Sequence, residues 1–286
     1  MPDRDGLFRL ARALADPYRL APPRVWARGT AGVFAGRTDG QSVDFHDYRQ
    51  YQPGDDLRRV DWRAYARSRQ MHLRLFREEV SPVVEVRLDT SASMGAYPGK
   101  ESAALFVAAF LANTTLAAEG RPVLCVDGER HAGGEFFPAL ARCRFDGRGR
   151  APKQTPSSGV SPVRFLVSDF LWDESGMAQF EQDASGCLGF MPLALLSRSE
   201  TAPAWRGAYR LHDVEDEKAV VDMTIDQAAV VAYTARLRLH REALERSARR
   251  HGCALVWWET PDGECGREEM EALVAFLVRE RLVTLR

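Results

Sequence analysis

No apolar run in this chain is long enough to cross a bilayer. The most apolar stretch, roughly residues 102–118, is interrupted by Asn113, Thr114 and Thr115, short of the about 20 clean apolar residues that a spanning helix needs. The opening segment MPDRDGLFRLARAL is charged throughout, which is not the pattern of a secretory signal, so a cytoplasmic protein is expected. Cysteines are few and odd in number: Cys125, Cys143, Cys187, Cys253 and Cys265. None has C-x-x-C spacing or lies near clustered histidines, which argues against a disulfide framework, a zinc site or a redox dithiol. Cys125 and Cys253 lie in apolar runs, where a small buried thiol is the ordinary reading. The six histidines are scattered without metal spacing. Lysine is nearly absent, three residues against 36 arginines, which reads as the codon usage of a GC-rich genome. Net charge is −1, so no overall field points to a nucleic-acid or membrane partner.

What is present suffices for a folded core: 286 residues, 45% hydrophobic and 28% charged, fit one large domain or one domain plus an extension. Residues 1–79 hold a short opening helix and then a turn-rich stretch in which glycine, aspartate and aromatics mix without a helical period. With 15 arginines against 11 acidic residues, this irregular N-terminal extension is only mildly basic. From residue 80 the pattern changes. VVEVRLD, RPVLCVDG, VRFLVSDF, CLGFMPLALLS and ALVWWET read as strands. Helices are expected at 101–120, 136–143 and 226–251 and in the final REEMEALVAFLVRERL, with a hairpin in GAYRLHDVEDEKAVVDMTI. Strands alternating with helices predict an α/β fold over residues 80–286, a doubly wound, mostly parallel sheet with helices on both faces. Sites in such sheets form outside the C-terminal ends of the strands.

Two aspartates fall at those ends. LDTSASMG places Asp89, Ser91 and Ser93 at alternate positions, so that in extended backbone their side chains share one side. Asp169 arrives in the matching place after VRFLVS. A carboxylate with two hydroxyls is a hard-oxygen donor set, suited to magnesium, manganese or calcium and leaving positions open for water or a partner's carboxylate. The plainer reading is that Asp and Ser after a strand cap free backbone N–H groups.

The strand, LDTSASMG, an apolar helix and then FLVSDF together resemble the metal-ion-dependent adhesion site of von Willebrand factor type A domains. Upstream, YRQYQPGDDLRRVDWRAYARSRQ resembles the signature of domain-of-unknown-function family 58, through Arg49, Tyr51, Gly54, Asp55, Asp56, Arg58, Asp61, Trp62, Ala66 and Arg67. The resemblance, over about residues 30–260, implies a von Willebrand factor type A-like sheet and a cation held by Asp89, Ser91, Ser93 and Asp169. Members of that family are often encoded beside MoxR-type AAA+ ATPases, which implies an adaptor or co-chaperone for such a motor. The wider superfamily also takes a threonine from a loop before the Asp169 strand. Thr155, the one threonine of 144–162, is either that ligand or a plain loop residue, and an incomplete site would weaken the cation or make it depend on a partner.

Residues 49–67 have two readings. Arg49, Arg58 and Arg67 with Asp55, Asp56 and Asp61 form a structural ion-pair network, with Trp62 and Tyr65 packed as core, or the block offers a contact surface. Catalysis finds little support: the alternative, a metal-dependent phosphohydrolase using Asp89, lacks a second carboxylate at position 91. No G-x-S-x-G elbow or G-x-x-x-x-G-K-[ST] loop occurs. The arginine-rich helix RLRLHREALERSARRH alternates Arg with Glu, the pattern of a solvated face. The sequence therefore predicts a non-enzymatic, cation-dependent protein-interaction module.

Overall fold

The computed structural model describes residues 3–20, 45–52, 55, 60–76, 83–147, 163–172, 174–185, 189–216 and 218–286. Residues Arg28–Ser81 make one compact unit, and Met1–Ala27 with Pro82–Arg286 make another. A boundary after residue 79 assigns the whole first stretch to the extension, but here the opening residues belong to the larger unit. Asp3 caps α1 (Arg4–Ala15) by accepting from the Gly6 N–H, and the helix buries Leu7, Ala11 and Ala15, four apart, on one face. β1 (Tyr18–Leu20) follows.

In the smaller unit, β2 (Phe45–Gln50) pairs antiparallel with β3 (His72–Phe76). Between them lies α2 (Trp62–Ser68), capped by the Asp61 carboxylate, which accepts from the N–H groups of Arg63 and Ala64. The turn-rich reading of this stretch missed both strands, whose mixed polar and apolar residues lack a clean alternation.

In the larger unit β4 (Val83–Leu88) is followed by α3 (Ala92–Gly95), α4 (Pro98–Ala117), β5 (Arg121–Val126), β6 (Glu129–Ala132) and α5 (Phe136–Arg142). Next come β7 (Val163–Ser168), α6 (Glu174–Ser185), β8 (Gly189–Ser197), α7 (Arg198–Thr201), β9 (Gly207–His212) and β10 (Val220–Ile225). α8 (Gln227–Arg250), β11 (Val256–Thr260), α9 (Arg267–Arg279) and β12 (Val283–Leu285) complete it. Six strands form one sheet in the order β11-β8-β7-β4-β5-β6, parallel except for β6. β6 returns on β5 through Asp127-Gly128, both at positive φ (51° and 85°), the two-residue turn that Asp-Gly favours. β12 closes antiparallel on β1.

Period-two alternation divides the strands between two cores. Val84, Val86, Leu88, Val163, Phe165, Val167, Leu193 and Leu195 face one side with α4, α9 and α1. Leu166, Phe190 and Ala194 face the other with Phe180 of α6 and Leu244 of α8. The expected α/β class, with a mostly parallel sheet and helices on both faces, is what the structure shows. α4 is buried around its circumference, from Gly99 to Thr115, so it is a core helix rather than an amphipathic surface one. Its first turn runs against the loop after β11. A Cβ at Gly99 would stand 1.9 Å from the Pro261 carbonyl oxygen. Gly99→Ala is therefore expected to destabilise by about 1–3 kcal/mol, the range for overpacking, and to lower the urea midpoint. An unchanged midpoint would mean that this loop yields freely.

Candidate functional site

Strand order reverses at β4, whose chain leads to β5 on one side while β7 pairs on the other. The loops leaving β4 and β7 thus diverge at the sheet's C-terminal edge, the place where sites form in such sheets. Asp89 lies in the first loop and Asp169 in the second.

Asp89 is held from three directions. Its Oδ1 accepts from the Ser91 N–H at 2.9 Å, and its Oδ2 accepts from Ser168 Oγ at 2.5 Å and Trp172 Nε1 at 3.0 Å. Burial pushes the Asp89 carboxyl up to about 6, the Asp169 charge adds to this, and the three hydrogen bonds pull the other way. The hydroxyls of Ser91 and Ser93 converge at 3.1 Å, but in the first turn of α3, with Ser91 as its N-cap, and not in the extended backbone expected. The loop is pinned from behind: Gly147 N–H donates to the Thr90 carbonyl and Ala92 N–H to the Gly147 carbonyl. Thr90 Oγ1 donates to Asp127 at 2.6 Å.

Asp169 stands differently from its expected role. It is fully buried, and its Oδ2 accepts from Lys100 Nζ at 3.0 Å while its Oδ1 accepts from the Leu171 N–H. Phe170 next to it has φ 57°, a left-handed conformation costly for a bulky residue. Three contacts hold it: its N–H donates to Ser168 Oγ, its ring packs against Trp172 and Phe180, and His240 Nε2 donates to its carbonyl at 2.6 Å. That carbonyl only accepts, so Nε2 of His240 carries a proton.

A cation fits part of this arrangement. Asp89 Oδ1 has one hydrogen-bond donor and a carboxylate oxygen accepts about two, and the two serine hydroxyls converge in the same loop. Their hard-oxygen chemistry suits magnesium or manganese. Among the described residues, no group of three or more His, Cys, Asp or Glu side chains gathers as a metal site, so any cation here depends on hydroxyls. Thr155 lies outside the described residues.

Sequence reading missed Ser168, Trp172, Lys100 and Glu215 at this site. Glu215, half-buried between exposed neighbours in the turn from β9 to β10, accepts from the Ser93 N–H at 2.7 Å. The one signal for Lys100 was its rarity in a chain that otherwise uses arginine.

In the 49–67 block, Asp61 is a helix cap and Asp55 closes a turn by accepting from the Gln52 N–H. Tyr51 N–H donates to the Met71 carbonyl between the two strands, and Arg49 pairs in register with Leu73. Arg67 is exposed. Gly54, Asp56 and Arg58 lie outside the described residues. The expectation that Trp62 and Tyr65 form core is corrected: both are exposed, Trp62 by 53%, and they pack edge-on against each other. Spacing three along α2 puts them on one face, but among the described residues no apolar partner covers it.

Comparison with known proteins adds a partial match. The family described as "Protein of unknown function DUF58" matches residues 47–140, about a third of the chain. No curated protein matches. Two solved structures are similar: conserved hypothetical protein BatB from Bacteroides thetaiotaomicron, and an aerotolerance-related membrane protein from Bacteroides fragilis NCTC 9343 bearing multiple mutations to serine. Each is 12% identical, with a TM-score of 0.34, over 70% of this chain and 98% and 100% of theirs. A likeness this distant carries no argument about function. No helix among the described residues is long and apolar enough to cross a membrane.

Proposed function

We propose that this chain is a cytoplasmic, non-catalytic protein-interaction module of the von Willebrand factor type A kind. The Asp89–Ser91–Ser93 loop takes a magnesium or manganese ion, Asp169 lies behind it, and an acidic side chain of a partner protein completes the ion's shell. The partner class implied by the sequence resemblance is a MoxR-type AAA+ ATPase. The observation that carries the reading is the convergence of the Ser91 and Ser93 hydroxyls at 3.1 Å in the loop of Asp89, whose carboxyl is pushed up by burial and then by the Asp169 charge. A bound cation offsets the cost of that buried negative charge and polarises whatever ligand joins it. Ser168 and Trp172 orient the carboxylate, and Gly147 keeps the loop from opening.

Manganese titration by calorimetry on wild type and Asp89→Ala tests this. Saturable binding is expected in wild type and none in the variant, and the ATPase added to the metal-loaded protein is expected to bind only where metal binds. Absence of saturable binding in wild type, with or without the ATPase, would reduce the loop to backbone capping.

A further inference from the structure

Lys100 breaks two habits of this molecule. The chain has three lysines among 39 basic residues, and among the described residues the buried pairs Arg87–Asp183, Arg164–Glu85 and Arg164–Asp183 use arginine. Lys100 is wholly buried, at the start of the core helix α4, with Nζ 3.0 Å from Asp169 Oδ2 and 2.6 Å from Glu200 Oε1. Glu200 is itself fixed, its other oxygen accepting from the Ser197 N–H at 2.7 Å. Arginine's planar fork spreads its charge over five donors, whereas an ammonium is a compact point charge. Wedged between two carboxylates at the sheet's C-terminal edge, it does for Asp169 what a small cation would do.

The consequence reaches the neighbouring loop. Asp169 directly follows Ser168, whose hydroxyl donates to Asp89 Oδ2 at 2.5 Å, and the strands that carry the two aspartates pair in register up to Leu88 and Val167, so whatever compensates Asp169 also sets how much negative charge a cation meets there. We propose that Lys100 is the affinity-setting residue of the cation site: its ammonium, shared with Glu200, withholds Asp169 from the ion, so that the loop takes a divalent cation through Asp89 and the two serines alone. This inference rests on the cation reading above. It makes the site weak by construction and leaves room for a partner's carboxylate.

Manganese calorimetry on the full chain tests it with variants of opposite sign. Lys100→Met frees Asp169 and is expected to tighten binding by about ten- to a thousandfold, the effect of an uncompensated charge within a few ångströms. Adding Asp169→Asn to Lys100→Met is expected to reverse that gain. Glu200→Gln leaves the ammonium wholly to Asp169 and is expected to weaken binding. If Lys100→Met does not fold, the double variant and Glu200→Gln still decide, since one removes both charges and the other keeps the ammonium. Wild-type binding that is unchanged in all three overturns the role of Lys100 and leaves the cation reading standing. Absence of binding in wild type and every variant overturns both.

Discussion

Arg164→Met lowers the stability of the α/β unit by about 3–5 kcal/mol, the cost of removing one partner from a buried ion-pair network. Glu85 and Arg164 are direct partners across the parallel β4–β7 pair, on the face opposite α4. Arg164 Nε donates to Glu85 Oε2 at 2.9 Å and its Nη1 to the Asp183 backbone carbonyl at 2.7 Å. Arg87, two residues along β4, donates to Asp183 Oδ1 at 2.5 Å. Glu85 is fully buried and Arg164 nearly so. With methionine at 164 the volume is nearly kept, so a cavity contributes little and the loss is electrostatic. Arg130, the other guanidinium on Glu85, comes from the edge strand β6 and is 22% exposed. Arg130→Met, beside solvent, is expected to cost only about 1 kcal/mol. Urea unfolding with unchanged m-values measures both. Equal costs would show that the number of charges, and not their burial, decides.

This network also marks a limit of the sequence reading. VVEVRL and VRFLVS were legible as strands because their apolar residues recur at every second position. The same alternation makes Glu85, Arg87 and Arg164 look solvent-facing, yet they lie under α6. That helix was itself unread: its apolar residues Met177, Phe180 and Ala184 are sparse among polar ones, and it is the helix that brings Asp183. The core helix α4 was plain, because a long apolar run has no other place in an α/β fold. The Ser91–Ser93 pair was legible as neighbours in sequence, but the backbone that brings them together is the first turn of α3 and not the extended segment expected. Lys100, Glu200 and Glu215 were not, because each reaches the site from a distant segment, and separations of 69, 100 and 122 residues leave no local period. The opening helix was visible, but its docking on α4 was not: a stripe of Leu7, Ala11 and Ala15 says that a face is buried, not against what.

On the proposed cation reading, affinity at the Asp89 loop is expected to fall as pH drops through about 6, while the stability of the metal-free protein is expected to move the other way. The Asp89 carboxyl, pushed up to about 6 by burial and then by the Asp169 charge, is ionised at pH 7.5 and protonated at pH 4. Proton and cation compete for the same oxygens, so apparent manganese affinity is expected to fall by about tenfold per pH unit below 6, roughly a hundredfold by pH 4. The sign for folding follows from linkage. The folded-state pKa lies above the unfolded 3.8, so between those values the folded chain binds more protons and stability declines as pH rises. The full penalty, on the order of 3 kcal/mol for this group, is present above pH 6, where the proposed cation would relieve it. Saturating manganese is therefore expected to raise the melting temperature at pH 7.5 and to have little effect at pH 4.5, and Asp89→Ala is expected to remove both the metal response and this part of the pH dependence. A loop that only caps backbone would keep the decline of stability with pH, since that depends on burial, and would show no metal response at any pH. The two behaviours separate in one set of melts.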